Sequence, residues 1–307
     1  MYLTEKFNAT MNKSLRKNMN QTLLPGKYKS PVVIGGVGGS GTRLIAQCLK
    51  ELGYYMGDDL NGANDNLWFT LLFKRIEILS STDEEFHDLV DILFKGITGI
   101  GGFSKEQVDL IKVLASKDRG PHPAFWLAQR ASSLLLKRPA IDSDARWGWK
   151  EPNSHIVLDR LNIKLKGMKY IHIIRNGLDM AYSNNQNQLR SWGAHFINEP
   201  FYITPHYSLK FWCLVHRRVL SIGKTMGPRF LLLNYDDFCT NPEHGILQLC
   251  NFLDLDAGNE EKRGLTDLIR VPDSIGRFKQ YDTKIFSDQD VAYVKSIGFD
   301  TGESQCY

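Results

Sequence analysis

Ile34-Gly35-Gly36-Val37-Gly38-Gly39-Ser40-Gly41-Thr42-Arg43 is the stretch that decides the fold. The residues before it, Pro31-Val-Val, join Ile34 in a short buried strand that ends in glycine. After it, Leu44, Ile45, Cys48, Leu49 and Leu52 fall on one stripe of a helix from Thr42 to Leu52, with Gly53 as its C-cap. Glycines let a chain turn tightly, so that successive N–H groups point inward, and the helix N-terminus adds partial positive charge. A strand, a glycine turn and a helix therefore predict an anion cradle.

Further along, residues 65–137 are helical and poor in strands. Helices are expected near 65–80, 83–95, 104–116 and 123–137, with Asp83 and Ser104 as N-caps and Gly96 and Gly120 as breakers. Trp147-Gly-Trp-Lys150 reads as a strand ending, followed by a helix over 153–163. Lys169–Ile174 is a clearer strand, with a helix opening near Leu178 and another over 207–226. Arg229–Asn234 is a further strand, and Asn241-Pro242 opens a helix running to Leu253. Strands alternating with helices give an α/β fold, a central mostly parallel sheet flanked by helices. The block 57–146 is expected as a helical insertion over the C-terminal edge of the sheet.

The chain has 307 residues, 42% hydrophobic and 23% charged, which excludes a disordered, a collagen-like or a disulfide-framed protein. A net charge of +4 is too mild to point to nucleic acid and still permits a local pocket for an anion. Five cysteines without a C-x-x-C pair argue against zinc and for a reducing compartment. No run approaches the roughly 18 apolar residues of a membrane span, and the polar N-terminus lacks the apolar core of a signal peptide. The expectation is a soluble, cytoplasmic protein without integral membrane contact. Residues 1–27 are polar and amide-rich, and the flexible arm they predict runs to residue 30, ahead of a single domain over 31–307.

The glycine loop admits several occupants. A Walker A loop framed by Gly36 and Gly41 needs lysine and then a hydroxyl, but Thr42 and Arg43 stand there. The dinucleotide fingerprint is present at Gly36, Gly38 and Gly41, with Asp58 or Asp59 at the distance of its ribose acid, but the strand before them, Leu52–Gly57, is short and poor. An unliganded strand–helix turn is a further possibility. Ser40-Gly41-Thr42, opening a helix directly, resembles the 5′-phosphosulfate loop of the sulfotransferase family. That resemblance implies PAPS (3′-phosphoadenosine 5′-phosphosulfate) as cofactor, PAP as product, and no metal. The missing Walker lysine and hydroxyl then become expected features.

Three later stretches match the same family in order and spacing. Ile173-Ile-Arg175-Asn-Gly-Leu-Asp-Met-Ala-Tyr-Ser183 puts an Arg at a strand end and a Ser within the second turn of the next helix, which resembles the 3′-phosphate site; Arg offers a phosphate a bidentate fork and Ser one more donor. Leu231-Leu-Leu-Asn-Tyr235-Asp236-Asp237-Phe238 resembles a strand ending in Tyr-Glu-Asp-Leu, with Tyr235 toward the nucleotide. Ser274-Ile-Gly-Arg277-Phe-Lys279 resembles a late basic loop, with Arg277 and Lys279 as a lid over the 3′-phosphate and adenine. The matches span 32–281 and leave the helical block, the substrate-covering part by this resemblance, without a counterpart.

One departure shapes the chemistry. Family members often carry Lys or Arg just before Ser-Gly-Thr, where this chain has Gly39. The cation that stabilises charge on the leaving oxygen is then expected from Arg43 and from Lys150 of Trp149-Lys150-Glu151-Pro152. The latter motif is similar to one in the tyrosylprotein and carbohydrate branch of the family; bacterial relatives are similar as well. The base for the acceptor is sought first in Asp59 and Asp65, then Asp58, then His155; Asp65 also reads as a helix N-cap. Aromatic residues such as Trp126, Trp192 and Tyr202 suit a small-molecule acceptor: a carbohydrate, a phenol or a lipid-linked alcohol, accepting through a hydroxyl or an amine. An NAD(P)-binding oxidoreductase, and a degenerate nucleotide-binding protein motivated by Gly39, are the alternatives.

Overall fold

Short runs of Val, Ile, Leu and Tyr supply the strands, since β-branched and aromatic side chains pack well on a pleated surface. The computed structural model describes residues 28–302, so the first 27 residues of the predicted arm and Cys306 lie outside the described residues. Four strands form one sheet: β1 (Val32–Gly36), β2 (Gly148–Lys150), β3 (Lys169–Ile174) and β4 (Phe230–Asn234). Their order is β2-β1-β3-β4 and every pairing is parallel, so all four strands end on the same edge. Val32 lies opposite Gly148 on one side and Lys169 on the other. The chain leaves β1 toward one neighbour and returns to the other, and this reversal opens a crevice beyond the end of β1.

Alternation along the strands divides the core. Val32, Ile34, Ile171, Ile173 and Leu233 face one helical layer, made by α1 (Thr42–Glu51), which follows the glycine loop, and by later helices of the chain. Val33, Tyr170 and Ile174 face the other. There the helical block supplies α2 (Leu67–Phe73), α3 (Asp83–Thr98), α4 (Lys105–Ala115) and α5 (Ala124–Leu135). Trp68, Trp147, Trp149 and Phe86 are fully buried in this larger core, each worth roughly 2–3 kcal/mol of apolar burial. The block thus reaches the sheet edge with its first loop, while its helices share the core of one sheet face.

The remaining helices are α6 (Leu158–Lys164), α7 (Gly177–Ala181), α8 (Asn187–Phe196), α9 (Pro205–Met226), α10 (Tyr235–Thr240), α11 (Pro242–Leu253), α12 (Asn259–Leu268) and α13 (Asp288–Ser296). Several boundaries differ from expectation for local reasons. Thr82, not Asp83, caps α3, in a capping box with Glu85; Ser104 caps α4 as expected, boxed with Gln107. The helix expected over 65–80 stops at Phe73 and resumes as a 3₁₀ turn over Ile76–Leu79. Its cap is Asn66, whose side chain accepts from Phe69 N, and not Asp65. Residues 152–157 are 3₁₀ before α6 begins. No helix of the described residues is long and apolar enough to cross a membrane.

Candidate active site

The glycine loop fills the crevice beyond β1. Ser40 N closes the turn on Val37 O at 3.0 Å, while Gly39 and Gly41 take φ of +94° and +93°, a region L side chains rarely adopt. Gly41 is the N-cap of α1, no side chain caps that end, and no acid occupies its first turn. The N-terminal partial charge therefore stays unneutralised. The Ser40 hydroxyl is buried and has no hydrogen-bond partner among the described residues. A cavity of about 640 Å³ opens over the loop, walled by Arg43, Asp65, Lys150, Asn185 and Tyr235.

Lys150 reaches this cavity from the end of β2. Its side chain is 2% exposed, and its ammonium makes a close ion pair with Asp65 while donating to Ala63 O at 3.1 Å. An ammonium has three N–H donors, so one remains for a ligand. The loop bearing Asp65 is built for this. Asn61 Oδ1 accepts from Ala63 N and Asp65 N, both at 2.9 Å, and Asn66 N donates to Lys150 O at 2.7 Å. Glu151, next in the chain, is fully buried; burial pushes its carboxyl up, against the opposing pull of Lys74 at 3.8 Å and of Asn153. Arg43 stands exposed on the first turn of α1, on the cavity wall, with no ion pair among the described residues.

Arg175 ends β3 as expected and lies one layer behind the wall. Nε donates to Asp236 at 3.2 Å, Nη2 donates to Ser274 Oγ at 2.7 Å, and the guanidinium sits 5.5 Å from the centre of the Tyr235 ring. Asp236 also accepts from Asn176 N at 3.1 Å, and burial pushes its carboxyl up. Tyr235 is packed on Gly41: a Cβ there would lie 2.1 Å from its ring. α7 ends at Ala181, so Ser183 stands just beyond it rather than in a second helical turn. Its hydroxyl is nonetheless at the loop, 3.8 Å from where a Cβ of Gly39 would be, and Asn185 lies beside Gly38. The late basic loop docks on α7: Asp179 accepts from Gly276 N at 2.8 Å and Phe278 N at 2.9 Å.

A model described as the sulfotransferase family matches residues 31–259. This chain belongs to the sulfotransferase family. It is a transferase of sulfur-containing groups, and neither alternative reading is favoured. No curated protein matches it. Among solved structures, this sulfotransferase is similar to the sulfotransferase domain of the Synechococcus PCC 7002 olefin synthase, at 17% identity over 89% of this chain and 97% of that one, with a TM-score of 0.47. It is similar to sulfotransferase STF9 from Mycobacterium avium at 12% identity over 80% and 68%, with a TM-score of 0.41. Retinol dehydratase, solved with androsterone and PAP, is 13% identical over 94% and 84%, with a TM-score of 0.42.

The other candidates of this sulfotransferase have structural employment elsewhere. Asp59 pairs with Arg130 at 3.2 Å and accepts closely from Ser133, which fastens α5 to the loop after α1. Asp58 accepts from Tyr55 at 2.6 Å and Arg138 at 2.8 Å. Among the described residues the segment before them makes a single bridge, Tyr55 to Trp147, and forms no strand to present an acid to a ribose. His155 is buried against Gln188, and burial pushes its imidazole down to about 3. Arg277 donates to Tyr182 O at 3.4 Å, and Lys279 pairs with Asp300 at 2.7 Å, both outside the cavity wall. Sequence reading missed Asn185, Asp179, Ser274 and Gln188. Asp179 and Ser274 carried a local signal, since each lies inside a quoted motif, the Arg175–Ser183 stretch and the late basic loop.

Proposed function

We propose that the cavity over the glycine loop binds PAPS and that this protein moves its sulfuryl group to a hydroxyl or amine acceptor. The observation that carries the reading is Lys150 with Asp65, a cation and a carboxylate held together at the wall above an uncapped helix N-terminus. The chain's own groups suit the cofactor: Gly38, Gly39, Gly41, Thr42 and Arg43 line the cavity, and beneath them the buried Ser40 hydroxyl has no partner among the described residues. Gly36, Gly38, Gly39, Ser40, Gly41 and Thr42 would cradle the phosphosulfate. Tyr235 and the nearby Ser183, with Arg175 one layer behind, would take the 3′-phosphate and adenine end, and the loop of Arg277 and Lys279, which lies outside the cavity wall, would have to close over them.

PAPS, when bound, supplies a sulfuryl group whose bond to the 5′-phosphate oxygen breaks as the acceptor oxygen or nitrogen bonds to sulfur, the electron pair staying on the phosphate. Lys150 would offer its third N–H to that oxygen, and Arg43 would add charge from the first turn of α1. Asp65 is the carboxylate within reach of both cavity and cation, and takes the acceptor proton. Metal independence is part of the proposal, because Arg43 replaces the hydroxyl that holds Mg²⁺ in Walker loops. The acceptor class stays as broad as the sequence left it: a small-molecule, carbohydrate, lipid-linked or phenolic acceptor. Lys150-Glu151-Pro152 supports the tyrosylprotein and carbohydrate branch. Among the described residues four cysteines are free and buried, which supports a reducing, cytoplasmic setting.

Calorimetric titration with PAP tests the reading, with NADP⁺ and ATP–Mg²⁺ as controls. Tight PAP binding that survives EDTA and is lost in Arg175→Ala is the expected result. Binding of NADP⁺ or ATP in place of PAP would overturn it.

A further inference from the structure

The cradle is held from outside by a buried side chain that no part of the proposed chemistry uses. Gly36 ends β1 and opens the glycine loop, and its carbonyl accepts from Gln188 Nε2 at 3.1 Å. A Cβ on Gly36 would stand 2.6 Å from Ser40 Oγ and 2.7 Å from Ile173 O, so position 36 has no room to fix itself with a side chain of its own. Gln188 lies on α8, 6% exposed, and its Oε1 is 3.0 Å from His155 Nε2.

The proton positions follow from the donors. With the amide nitrogen of Gln188 committed to a carbonyl, its oxygen must face the ring, so His155 Nε2 carries the hydrogen. Burial keeps the imidazole neutral, leaving Nδ1 without a partner among the described residues. His155 is itself immobilised, because its carbonyl accepts from Arg218 at 2.7 Å. It also sits in the 3₁₀ turn directly after Lys150 and Glu151. Two hydrogen bonds in series therefore tie the start of the cradle to the segment bearing Lys150 and to the helix that follows Asn185.

We propose that Gln188 and His155 are positioning residues, which hold Gly36, and with it the N–H groups of the loop, in register with Lys150. The inference rests on the nucleotide reading for its consequence in binding, but not for its geometry. Removing the donor leaves a buried carbonyl unsatisfied at the root of the loop, a penalty large enough to move both loop order and affinity about tenfold.

Four variants test it: Gln188→Leu, Gln188→Glu, His155→Leu and His155→Gln. One readout is hydrogen exchange at the amides of 37–41 in ligand-free protein; the other is PAP affinity by calorimetry. Near pH 7.5, Gln188→Leu and Gln188→Glu are expected to exchange about tenfold faster and bind PAP about tenfold more weakly. His155→Gln, which keeps an N–H where Nε2 was, stays within about twofold of wild type, while His155→Leu does not. Lowering the pH toward about 5.5 restores Gln188→Glu, whose carboxyl then gains a proton to donate to Gly36, and leaves Gln188→Leu unchanged. His155, with His172 and His216 behind it, and the Arg218 guanidinium face this point; ratios to wild type at each pH remove their contribution. Loop exchange in both Gln188 variants equal to wild type would overturn the proposal, whatever PAP does. Wild-type protein that ignores PAP would overturn the nucleotide reading, and the exchange data would still decide the positioning.

Discussion

At Gly41 a backbone φ of +93° coincides with a ring contact that leaves no space for a Cβ. Gly41→Ala therefore meets both left-handed strain and a clash with Tyr235, and is expected to cost about 2–3 kcal/mol of stability in urea unfolding and to abolish measurable PAP binding. Near-normal binding would mean that Tyr235 moves freely and does not form the wall. Gly39 differs. Its surroundings are open enough, with Met180 Cε at 3.5 Å from a built Cβ, but φ is +94°. A lysine there would carry backbone strain, which gives a physical reason for the charge to come from elsewhere. Lys150 is the better-placed source, buried and anchored on Asp65, while Arg43 is exposed. Lys150→Ala is expected to lower turnover at saturating PAPS by about 10²–10³-fold, and Arg43→Ala by about tenfold. Equal, small losses in single-turnover measurements would refute that ranking.

Among the elements, the late loop depends on a carboxylate of α7. Asp179 accepts two backbone N–H groups from residues 276 and 278, and Ser274 of the same loop holds Arg175. In Asp179→Asn one of the two acceptor oxygens becomes a donor facing an N–H. The expected outcome is faster proteolysis within 274–281 and PAP affinity about tenfold weaker, with the melting temperature little changed. What was legible in the chain follows the same division between local and distant. The places of the glycine loop, Lys150 and Arg175 in the fold could be read because each belongs to a short pattern at a strand end or a loop. Capping was read only to within a residue: at Thr82-Asp83 and Asp65-Asn66 two good caps are adjacent, and the reciprocal bond from Glu85 and the approach of Phe69 N decide between them. α8 was not legible, since Gly193 interrupts its pattern and its use is tertiary: a Cβ there would stand 2.5 Å from the Phe201 ring. Asp59 read as a base because its partner, Arg130, is remote in sequence. Gln188 and Gly36 are likewise joined only by the fold.

For the whole molecule, the acid side of the stability curve is set by histidines inside the core. His172 of β3 lies ring against ring with His155 and His216, and each of the three has a nitrogen without a partner among the described residues. Burial pushes all three down, to about 3 for His155 and about 4 for His216. Free imidazoles take a proton below about pH 6.5, so the unfolded chain binds protons there that the folded chain refuses. Stability is therefore complete above that pH and falls as the pH drops, by up to about 1.4 kcal/mol per pH unit for each histidine. Glu151 and Asp236, pushed up by burial, act in the opposite sense and reduce the slope. Urea midpoints that fall from pH 7 to 5 are expected; a flat or rising series would show that these rings are protonated in the native core. The parallel sheet also bears on how the molecule is made. Val32 pairs with Gly148 and Lys169, each more than a hundred residues further along. Such high contact order makes folding slow, because loop closure comes before reward. During synthesis β1 leaves the ribosome long before either neighbour exists. It must wait, apolar and unpaired, until the helical block has condensed and β3 has emerged, which makes the nascent chain a client for chaperones at that stage.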